Sequence, residues 1–241
     1  MKIAIDIGNT SVTCGVFEKN KIVIKNDFDS AKSFQLYIND FDHITINKII
    51  ISSVVPKLTE KYVNLLSSNY IDRIKIIDNK NSQLSLKIKE PKSVGADRLC
   101  NIKAALKLYK YPAIIVDFGT ATTYDVINDN GEFIGGAISS GVQTSATYLI
   151  QKAALLFKTD LKFPQNVIGI DTKENIQSGI MYGALDQVEG MIKRISNESG
   201  EEYNIILTGG LSTVLSPCLS LEHTLDLDLT LKGMIYIDED N

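Results

Sequence analysis

The fold of this 241-residue chain is indicated first by the segment Ile3-Ala-Ile-Asp-Ile-Gly-Asn-Thr10. An apolar run typical of a β-strand leads into Asp6, and Gly8 follows two residues later. Asp6 can hold a hydrated divalent cation through a carboxylate oxygen. The amides around Gly8, Asn9 and Thr10 can form a concave set of N–H donors for phosphate. These residue types are equally ordinary in tight turns, so the segment alone leaves a ligand site and a simple hairpin open.

A second segment repeats this order half a chain later: Ile114-Ile-Val-Asp-Phe-Gly-Thr-Ala-Thr-Thr-Tyr-Asp-Val-Ile127. It again runs from an apolar strand through an acid, a glycine and a hydroxyl residue into a β-rich strand. Asp6 and Asp117 are 111 positions apart, and Gly8 and Gly119 have the same separation. We therefore predict a duplicated domain, with a phosphate and metal site between its two halves.

The rest of the sequence predicts α/β layers around these segments. A buried strand, a helix and another strand in succession indicate some parallel pairing, and they are predicted at 48–55, 57–69 and 74–77. A later helix is predicted over 144–157 from its apolar spacing. Asn130-Gly131 suits a type I′ turn in the hairpin of the second copy.

A long helix is predicted to begin at Asp171-Thr-Lys-Glu174, which has the spacing of a capping box, and to end near Gly200. Within it Gly179, Gly183 and Gly190 lie close to one face. Each glycine costs a helix about 1 kcal/mol relative to alanine. We therefore expect a close approach to that face, either by the sheet of the same chain or by a second subunit.

Two further motifs carry polar groups or glycines at the ends of regular elements. Gly95-Ala-Asp-Arg98 precedes a helix, so Asp97 is either a helix cap or a base whose position the helix fixes. Thr208-Gly-Gly210 follows an apolar strand. A glycine pair there admits a flat ligand such as a nucleoside or simply makes a turn, and the sequence slightly favours the turn.

Composition narrows the class of protein. The hydrophobic fraction of 44% and the charged fraction of 22% are typical of a globular protein, and the repeat favours two domains, at 1–111 and 112–241. A net charge of −4 disfavours nucleic acid as a partner. No apolar run approaches the ~18 residues of a membrane span, and Asp6 interrupts any signal-like run. The three cysteines are far apart in sequence, which favours reduced thiols and a cytoplasmic location.

Taken together, the motifs resemble the type III pantothenate kinases in identity, order and spacing. They are Asp6-Ile-Gly-Asn-Thr10, Gly95-Ala-Asp-Arg98, Asp117-Phe-Gly-Thr120, Ile134-Gly-Gly-Ala137 and Thr208-Gly-Gly210. The resemblance runs from residue 1 to about residue 235. Asp-x-Gly-x-Thr is shared by the wider actin, sugar-kinase and Hsp70 superfamily, whereas the Gly-Ala-Asp-Arg motif between the two copies is the narrower signal.

The resemblance implies two ribonuclease-H-like, actin-like ATPase domains with ATP in the cleft between them. It implies transfer of the ATP γ-phosphoryl group to the terminal hydroxyl of pantothenate, the first step towards coenzyme A. It also implies Mg²⁺, a monovalent cation (K⁺ or NH₄⁺), and a homodimer. No nucleic acid or membrane partner is expected.

By the same resemblance, each motif receives a role. Asp97 would accept the hydroxyl proton, Asp6 would hold Mg²⁺ through water, and Asp117 would ligate the monovalent cation. Residues implied in ATP binding are Asp6, Ile7, Gly8, Asn9, Thr10, Ser11, Val12, Thr13, Thr120, Gly209 and Gly210. Residues implied in pantothenate binding are Gly95, Ala96, Asp97, Arg98 and, across the dimer, Thr172.

Two alternatives remain open at this point. One is a kinase of the same superfamily that acts on another small hydroxylated acceptor or on polyphosphate. The other is a nucleotide-binding regulatory protein that has kept the fold and lost the chemistry. Asp97 argues against the second, because a binding module does not need a base beside its ligand.

Overall fold

The computed structural model describes residues 1–39, 41 and 46–241. The chain divides into two compact units. Unit 1 contains Met1–Tyr109 and Asp228–Asn241, and unit 2 contains Lys110–Leu227. The sequence predicts domains at 1–111 and 112–241. The structure differs from this division at the C-terminal end, because residues 228–241 belong to unit 1.

Regular elements cover most of the described chain. The strands are β1 (Lys2–Ile7), β2 (Val12–Glu18), β3 (Lys21–Phe28), β4 (Lys48–Ser53), β5 (Ile74–Ile76), β6 (Ala113–Phe118), β7 (Ala121–Ile127), β8 (Phe133–Ser140), β9 (Asn204–Thr208) and β10 (Thr224–Leu225). The α-helices are α1 (Ala31–Asn39), α2 (Pro56–Tyr70), α3 (Ala96–Leu108), α4 (Val142–Lys152), α5 (Thr172–Ser199), α6 (Ser212–Leu215) and α7 (Leu229–Glu239). Within this part of the chain, no helix is both long and apolar enough to cross a membrane.

The two sheets have the same topology. Unit 1 has the strand order β3-β2-β1-β4-β5, and unit 2 has the corresponding order β8-β7-β6-β9-β10. In each sheet the first three strands are antiparallel neighbours, and the last two run parallel to the central strand. This repetition of strand order confirms the predicted fold class of two duplicated α/β domains.

The sheet of unit 1 buries a different set of residues on each face. Ile3, Ile5 and Ile7 pack in a cluster with Phe34 of α1 and Tyr62 of α2. Because side chains alternate along a strand, the residues between them point to the opposite face. Helix α7 contacts β1 and β4, and α3 contacts β4.

Helix α7 joins unit 1 because its apolar residues pack against α3. Its buried residues include Leu231, Met234 and Ile235. At the crossing, a Cβ built on Gly233 would lie 1.8 Å from the carbonyl oxygen of Cys100. Glycine at this position therefore lets the two helix backbones meet, and this non-local packing explains why the last helix leaves the predicted second domain.

Polar contacts also join α7 to α3. Thr230 Oγ1 donates to Asn101 Oδ1 at 2.8 Å. Asp240, just after α7, pairs with the buried Lys103 ammonium at 2.7 Å. Lys107 also donates to the Asp240 carboxylate, at 3.0 Å. The hydrogen bonds from Lys103 and Lys107 lower the pKa of Asp240. A buried ammonium needs acceptors in the protein, and Asp240 supplies one of them for Lys103.

The hairpin turns differ from the sequence prediction. Lys19 and Asn20 have φ values of 46° and 64°, which suits a type I′ turn between β2 and β3. In the second copy Gly131 has φ 71°, but Asn130 does not have positive φ, so the predicted type I′ turn at Asn130-Gly131 is wrong. The reason is the Asn128 side chain, which accepts hydrogen bonds from the backbone N–H of Asn130 and Glu132 and organises a longer loop.

The long helix of unit 2 follows its sequence signals. Asp171 caps α5 by accepting from the Glu174 backbone N–H at 2.8 Å, and Gly200 ends it in the left-handed region at φ 75°. Helix α4 is shorter than the predicted 144–157, since it ends at Lys152. The apolar residues beyond that end are largely exposed in the single chain, with Leu155 at 90%.

We predict that Gly233→Ala destabilises unit 1, because the added methyl group must displace the backbone of α3. Overpacking of this kind costs about 2–3 kcal/mol, or a drop in Tm of roughly 5–10 °C. Thermal unfolding followed by circular dichroism measures the shift. Gly210→Ala is the matched control, since an added Cβ there meets nothing within 4 Å. An equal Tm for both variants would contradict the close helix crossing.

Candidate functional site

The loop between β1 and β2 is held tight by its own backbone. Asp6 lies near the end of β1, and the Gly8 N–H donates to the Ser11 carbonyl at 3.0 Å. A Cβ on Gly8 would lie 3.3 Å from that carbonyl oxygen, which is closer than side chains normally allow. Asn9 and Thr10 are exposed at the tip. The loop thus presents polar groups to solvent immediately beside a half-buried carboxylate.

Asp6 receives a hydrogen bond from inside unit 1. Parallel pairing of β1 with β4 sets Asp6 opposite Ser52. The Ser52 hydroxyl donates to Asp6 Oδ1 at 2.8 Å, and Ser52 is 0% exposed. The carboxylate is therefore oriented by a partner that water does not reach.

Asp97 is placed by the first turn of α3. The N-cap of this helix is Gly95, and Asp97 Oδ1 accepts from the backbone N–H of Arg98 at 2.8 Å. The interpretation of Asp97 as the capping residue is therefore wrong by two positions. A Cβ on Gly95 would lie 2.5 Å from Asp97 Oδ1, so glycine at 95 leaves room for the carboxylate to lie over the helix start. Ala96 is buried, and Arg98 is half-buried.

The Cys100 thiol lies near both acids of unit 1. Burial raises the pKa of this thiol well above its usual value, and the charges of Asp6 and Asp97 raise it further. A hydrogen bond between Cys100 and Ser52 acts in the opposite direction. The thiol is thus a protonated, unreactive group, and its surroundings place Asp6 and Asp97 in one neighbourhood.

Unit 2 has an equivalent acid at the end of its central strand. Asp117 of β6 pairs in parallel register with Thr208 of β9. The next residue, Gly209, has φ 88°, and its Cβ would lie 2.4 Å from Asp117 Oδ1. Ser212 anchors the turn by donating from both its N–H and its hydroxyl to the Gly209 carbonyl. The Thr-Gly-Gly motif therefore forms a turn, and that turn brings bare backbone against the carboxylate.

The loop after β6 is held by hydrogen bonds from the start of α4. The Thr120 carbonyl accepts from the Gly141 N–H at 3.1 Å and from Thr144 Oγ1 at 2.7 Å. A Cβ on Gly141 would collide with the carbonyls of Gly119 and Thr120, at 2.3 and 2.5 Å. The side chain of Thr120 remains exposed. Asp117, Thr120 and Gly209 thus belong to one edge of this sheet.

Comparison with known proteins identifies the family. The family model for type III pantothenate kinase matches residues 2–194. A type III pantothenate kinase of Sulfurihydrogenibium sp. is 37% identical over 251 residues, spanning 99% of this chain and 100% of that protein. One of Thermomicrobium roseum is 37% identical over 246 residues, spanning 97% and 95%. The chain belongs to the type III pantothenate kinase family.

A solved structure extends the comparison of the fold. A chain from Campylobacter jejuni, described as a conserved putative Baf family transcriptional activator, has a TM-score of 0.65 and 20% identity, and the match covers 99% of this chain and 98% of that chain. This likeness shows a shared fold. The family and the fold class predicted from the sequence are both confirmed.

The site residues expected for a type III pantothenate kinase divide between the units. Asp6, its loop and the Gly95–Arg98 motif lie in unit 1, while Asp117, Thr120, Thr172 and the glycine pair lie in unit 2. Thr172 is the exposed first residue of α5. Within residues 1–39, 41 and 46–241, no cluster of three or more His, Cys, Asp or Glu side chains could enclose a metal.

Two residues near the acids were not predicted to matter. The sequence places Ser52 in a predicted buried strand and assigns no role to Cys100. Both side chains are buried, and both contribute to the surroundings of Asp6. A signal for Ser52 exists in the sequence, since it is a polar residue within the otherwise apolar run predicted to form a strand at 48–55.

We predict that Gly209→Ala destabilises unit 2 more than Gly200→Ala. Both residues have positive φ, which costs an alanine about 1–2 kcal/mol, but only Gly209 also has Asp117 Oδ1 and the Phe118 backbone within 3 Å of the added Cβ. Gly200 meets nothing within 4 Å. Thermal unfolding of the two variants separates the shared backbone strain from the clash. Equal losses would show that the turn does not approach Asp117 closely.

Proposed function

We propose that this chain transfers the γ-phosphoryl group of ATP to the terminal hydroxyl of pantothenate, giving 4′-phosphopantothenate in coenzyme A biosynthesis. The observation that carries the proposal is membership of the type III pantothenate kinase family over nearly the whole chain. The activity agrees with the prediction made from the sequence motifs. The residue roles that follow are supported by local geometry in each unit.

In unit 1, Asp97 is proposed as the base and its neighbours as the pantothenate site. Phosphoryl transfer requires mainly positioning and charge neutralisation, with one carboxylate near the attacking hydroxyl. The Asp97 carboxylate is fixed by the Arg98 N–H and by the space that Gly95 leaves. Arg98 could then pair with the carboxylate of pantothenate through its guanidinium. Ala96, buried at the helix start, would complete this surface.

The Asp6 loop is proposed to bind the phosphates of ATP. Its residues Ile7, Gly8, Asn9, Thr10, Ser11, Val12 and Thr13 form a strand end, a tight loop and a strand start, so several N–H groups lie close together. A Mg²⁺ ion held through water by Asp6 would neutralise charge on the phosphate oxygens. The carboxylate fits this role because it is half-buried, oriented by Ser52, and next to the exposed loop tip.

In unit 2, Asp117 is proposed to hold a monovalent cation, K⁺ or NH₄⁺. The donor set fits, since oxygen ligands suit such ions and the Gly209 backbone lies directly against the carboxylate. Thr120, with an exposed side chain on a well-anchored loop, would contact ATP. Gly209 and Gly210 would do so through their backbone, where no side chain intervenes.

A homodimer is proposed from the surface of α5 and the segment before it. Among the described residues, a Cβ on Gly179, Gly183 or Gly190 meets nothing within 4 Å. The sheet of the same chain therefore does not cover this face. Of the two partners expected for the glycine face, the sheet and a second subunit, the second subunit remains. Ile168 and Ile170 are 84% and 90% exposed and lie just before α5. Thr172, at the start of this helix, would reach pantothenate bound to the partner.

The location is proposed to be the cytoplasm. Cys14 and Cys100 are buried free thiols, and Cys218 is an exposed one. Free thiols persist where the surroundings are reducing. ATP, the proposed phosphoryl donor, is also abundant there.

The activity is tested by ADP release from purified protein with ATP, Mg²⁺ and pantothenate, in K⁺ buffer and again with Na⁺ in its place. We expect pantothenate-dependent ADP release that requires K⁺. Release with a sugar and none with pantothenate would favour another acceptor. Bound ATP with no turnover in either buffer would favour the regulatory alternative.

We predict that Asp97→Asn lowers kcat by about 10²–10⁴-fold, the usual contribution of a general base. ATP affinity should stay within about 2-fold, because the substitution keeps the size of the side chain. Steady-state kinetics and calorimetric binding of ATP provide the two measurements. Retained turnover would show that the residue only organises the helix start.

We also predict that Gly183→Leu gives a folded monomer, because the leucine side chain has room in the single chain but blocks close approach of a partner. Size-exclusion chromatography with light scattering measures the mass. Lys32→Leu, which adds a similar apolar group to the exposed surface of α1, is the control and should remain dimeric. A dimeric Gly183→Leu protein with full activity would place the interface elsewhere.

A further inference from the structure

We propose that Ser52 is a positioning residue for the metal-holding carboxylate of Asp6. The inference rests on the proposed function, since it assumes that Asp6 holds Mg²⁺ beside bound nucleotide. None of the sequence motifs includes Ser52. Its role follows from strand register, burial and a hydrogen bond within unit 1.

The first step is the register of two parallel strands. The pairing of β1 with β4 puts Ser52 directly opposite Asp6, with Ser53 opposite Ile7. Because side chains alternate across a sheet, Ser52 and Asp6 share one face. The Ser52 hydroxyl spans the short distance and donates to Asp6 Oδ1 at 2.8 Å.

The second step is burial. Ser52 is fully buried, so its hydroxyl proton cannot be given to water and must find an acceptor in the protein. A carboxylate is a strong acceptor, and a hydrogen bond to a charged group is roughly twice as strong as one between neutral groups. The hydroxyl therefore holds one oxygen of Asp6 and sets the plane of the carboxylate before any cation binds.

The third step is the group behind Ser52. Cys100 is completely buried and forms a hydrogen bond with Ser52. The serine has one proton and donates it to Asp6 Oδ1, so the thiol fills the buried space beside the hydroxyl. Since Gly233 brings α7 onto the Cys100 backbone, the position of this thiol is itself fixed by helix packing.

Unit 2 has the same arrangement of residue types. Thr208 lies opposite Asp117 in the parallel pairing of β6 with β9, and it is 2% exposed. A buried hydroxyl residue therefore occupies the same strand position beside the acid in both sheets. The repetition supports a role beside the acid over chance filling of a core position.

The predicted effect of Ser52→Ala is a loss of cation-dependent nucleotide affinity. Residues that orient a metal ligand typically contribute 10–100-fold to metal affinity. Calorimetry with the non-hydrolysable ATP analogue AMPPNP gives its Kd in excess Mg²⁺ and in EDTA. We expect the Mg²⁺-dependent enhancement to fall about 10-fold, whereas the affinity in EDTA should remain that of the unchanged protein.

Ser53→Ala is the matched control. The Ser53 hydroxyl contacts the Val55 N–H and Thr59 Oγ1, and it faces away from Asp6. It should keep the full enhancement. If Ser52→Ala does not unfold cooperatively on heating, Ser52→Cys replaces it, since a thiol of similar size is a weaker donor and should lose part of the enhancement.

Three results would overturn the proposal, two in the Ser52 variants and one in the unchanged protein. One is an unchanged Mg²⁺ enhancement in the folded Ser52 variant, and the other is an equal loss of affinity with and without Mg²⁺, which would assign Ser52 to loop structure alone. Pantothenate-dependent ADP release by the unchanged protein is measured separately. Enhancement without such turnover would refute the kinase function and leave the Ser52 role intact, whereas absence of enhancement in the unchanged protein would refute the Ser52 role.

Discussion

The contact between Gly233 and the Cys100 carbonyl constrains much of unit 1. Because no side chain separates α7 from α3 at that point, the two helices cross with their backbones in contact. Helix α3 is thereby held against the sheet, and it carries Asp97 at its start and Cys100 one turn later. Cys100 in turn contacts Ser52, which holds Asp6. A single glycine in the last helix thus bears on the placement of both acids of this unit.

The two units surround the acid of their central strand with different groups. Each sheet ends its central strand with an acid and sets a buried hydroxyl residue beside it on the parallel neighbour. In unit 1 the surroundings of the acid are completed by a helix and a thiol. In unit 2 they are completed by a turn in which Gly209 lies against the carboxylate. The two sheets share their strand order, whereas the groups around each acid differ.

The sequence predicts well the features that depend on neighbouring residues. Local patterns predict the two hairpins that carry the repeated acid and glycine, the strand that begins at Lys48 and the capped start of α5. Contacts between distant residues are a different matter. The pairing of Ser52 with Asp6 depends on strand register, and the assignment of α7 to unit 1 depends on which helix it packs against. Neither is encoded in a short motif.

Hydrogen bonds of one side chain also changed a turn whose type the sequence predicts. Asn130-Gly131 has the preferred composition of a type I′ turn, but Asn128 binds two backbone N–H groups and sets a different loop. The corresponding turn of unit 1, between β2 and β3, has two positive φ values, at Lys19 and Asn20. Turn composition therefore predicted that a hairpin exists and did not predict its geometry, because a side chain two residues earlier supplied competing hydrogen bonds.

The division of the chain has a consequence for its synthesis. Unit 2 is inserted within unit 1, so a ribosome completes all of unit 2 before it makes the helix that unit 1 still lacks. A nascent chain that has reached Leu227 leaves the backbone of α3 uncovered at Cys100 and leaves Lys103 without the Asp240 carboxylate. All of unit 2 has therefore been synthesised before unit 1 receives α7 and Asp240.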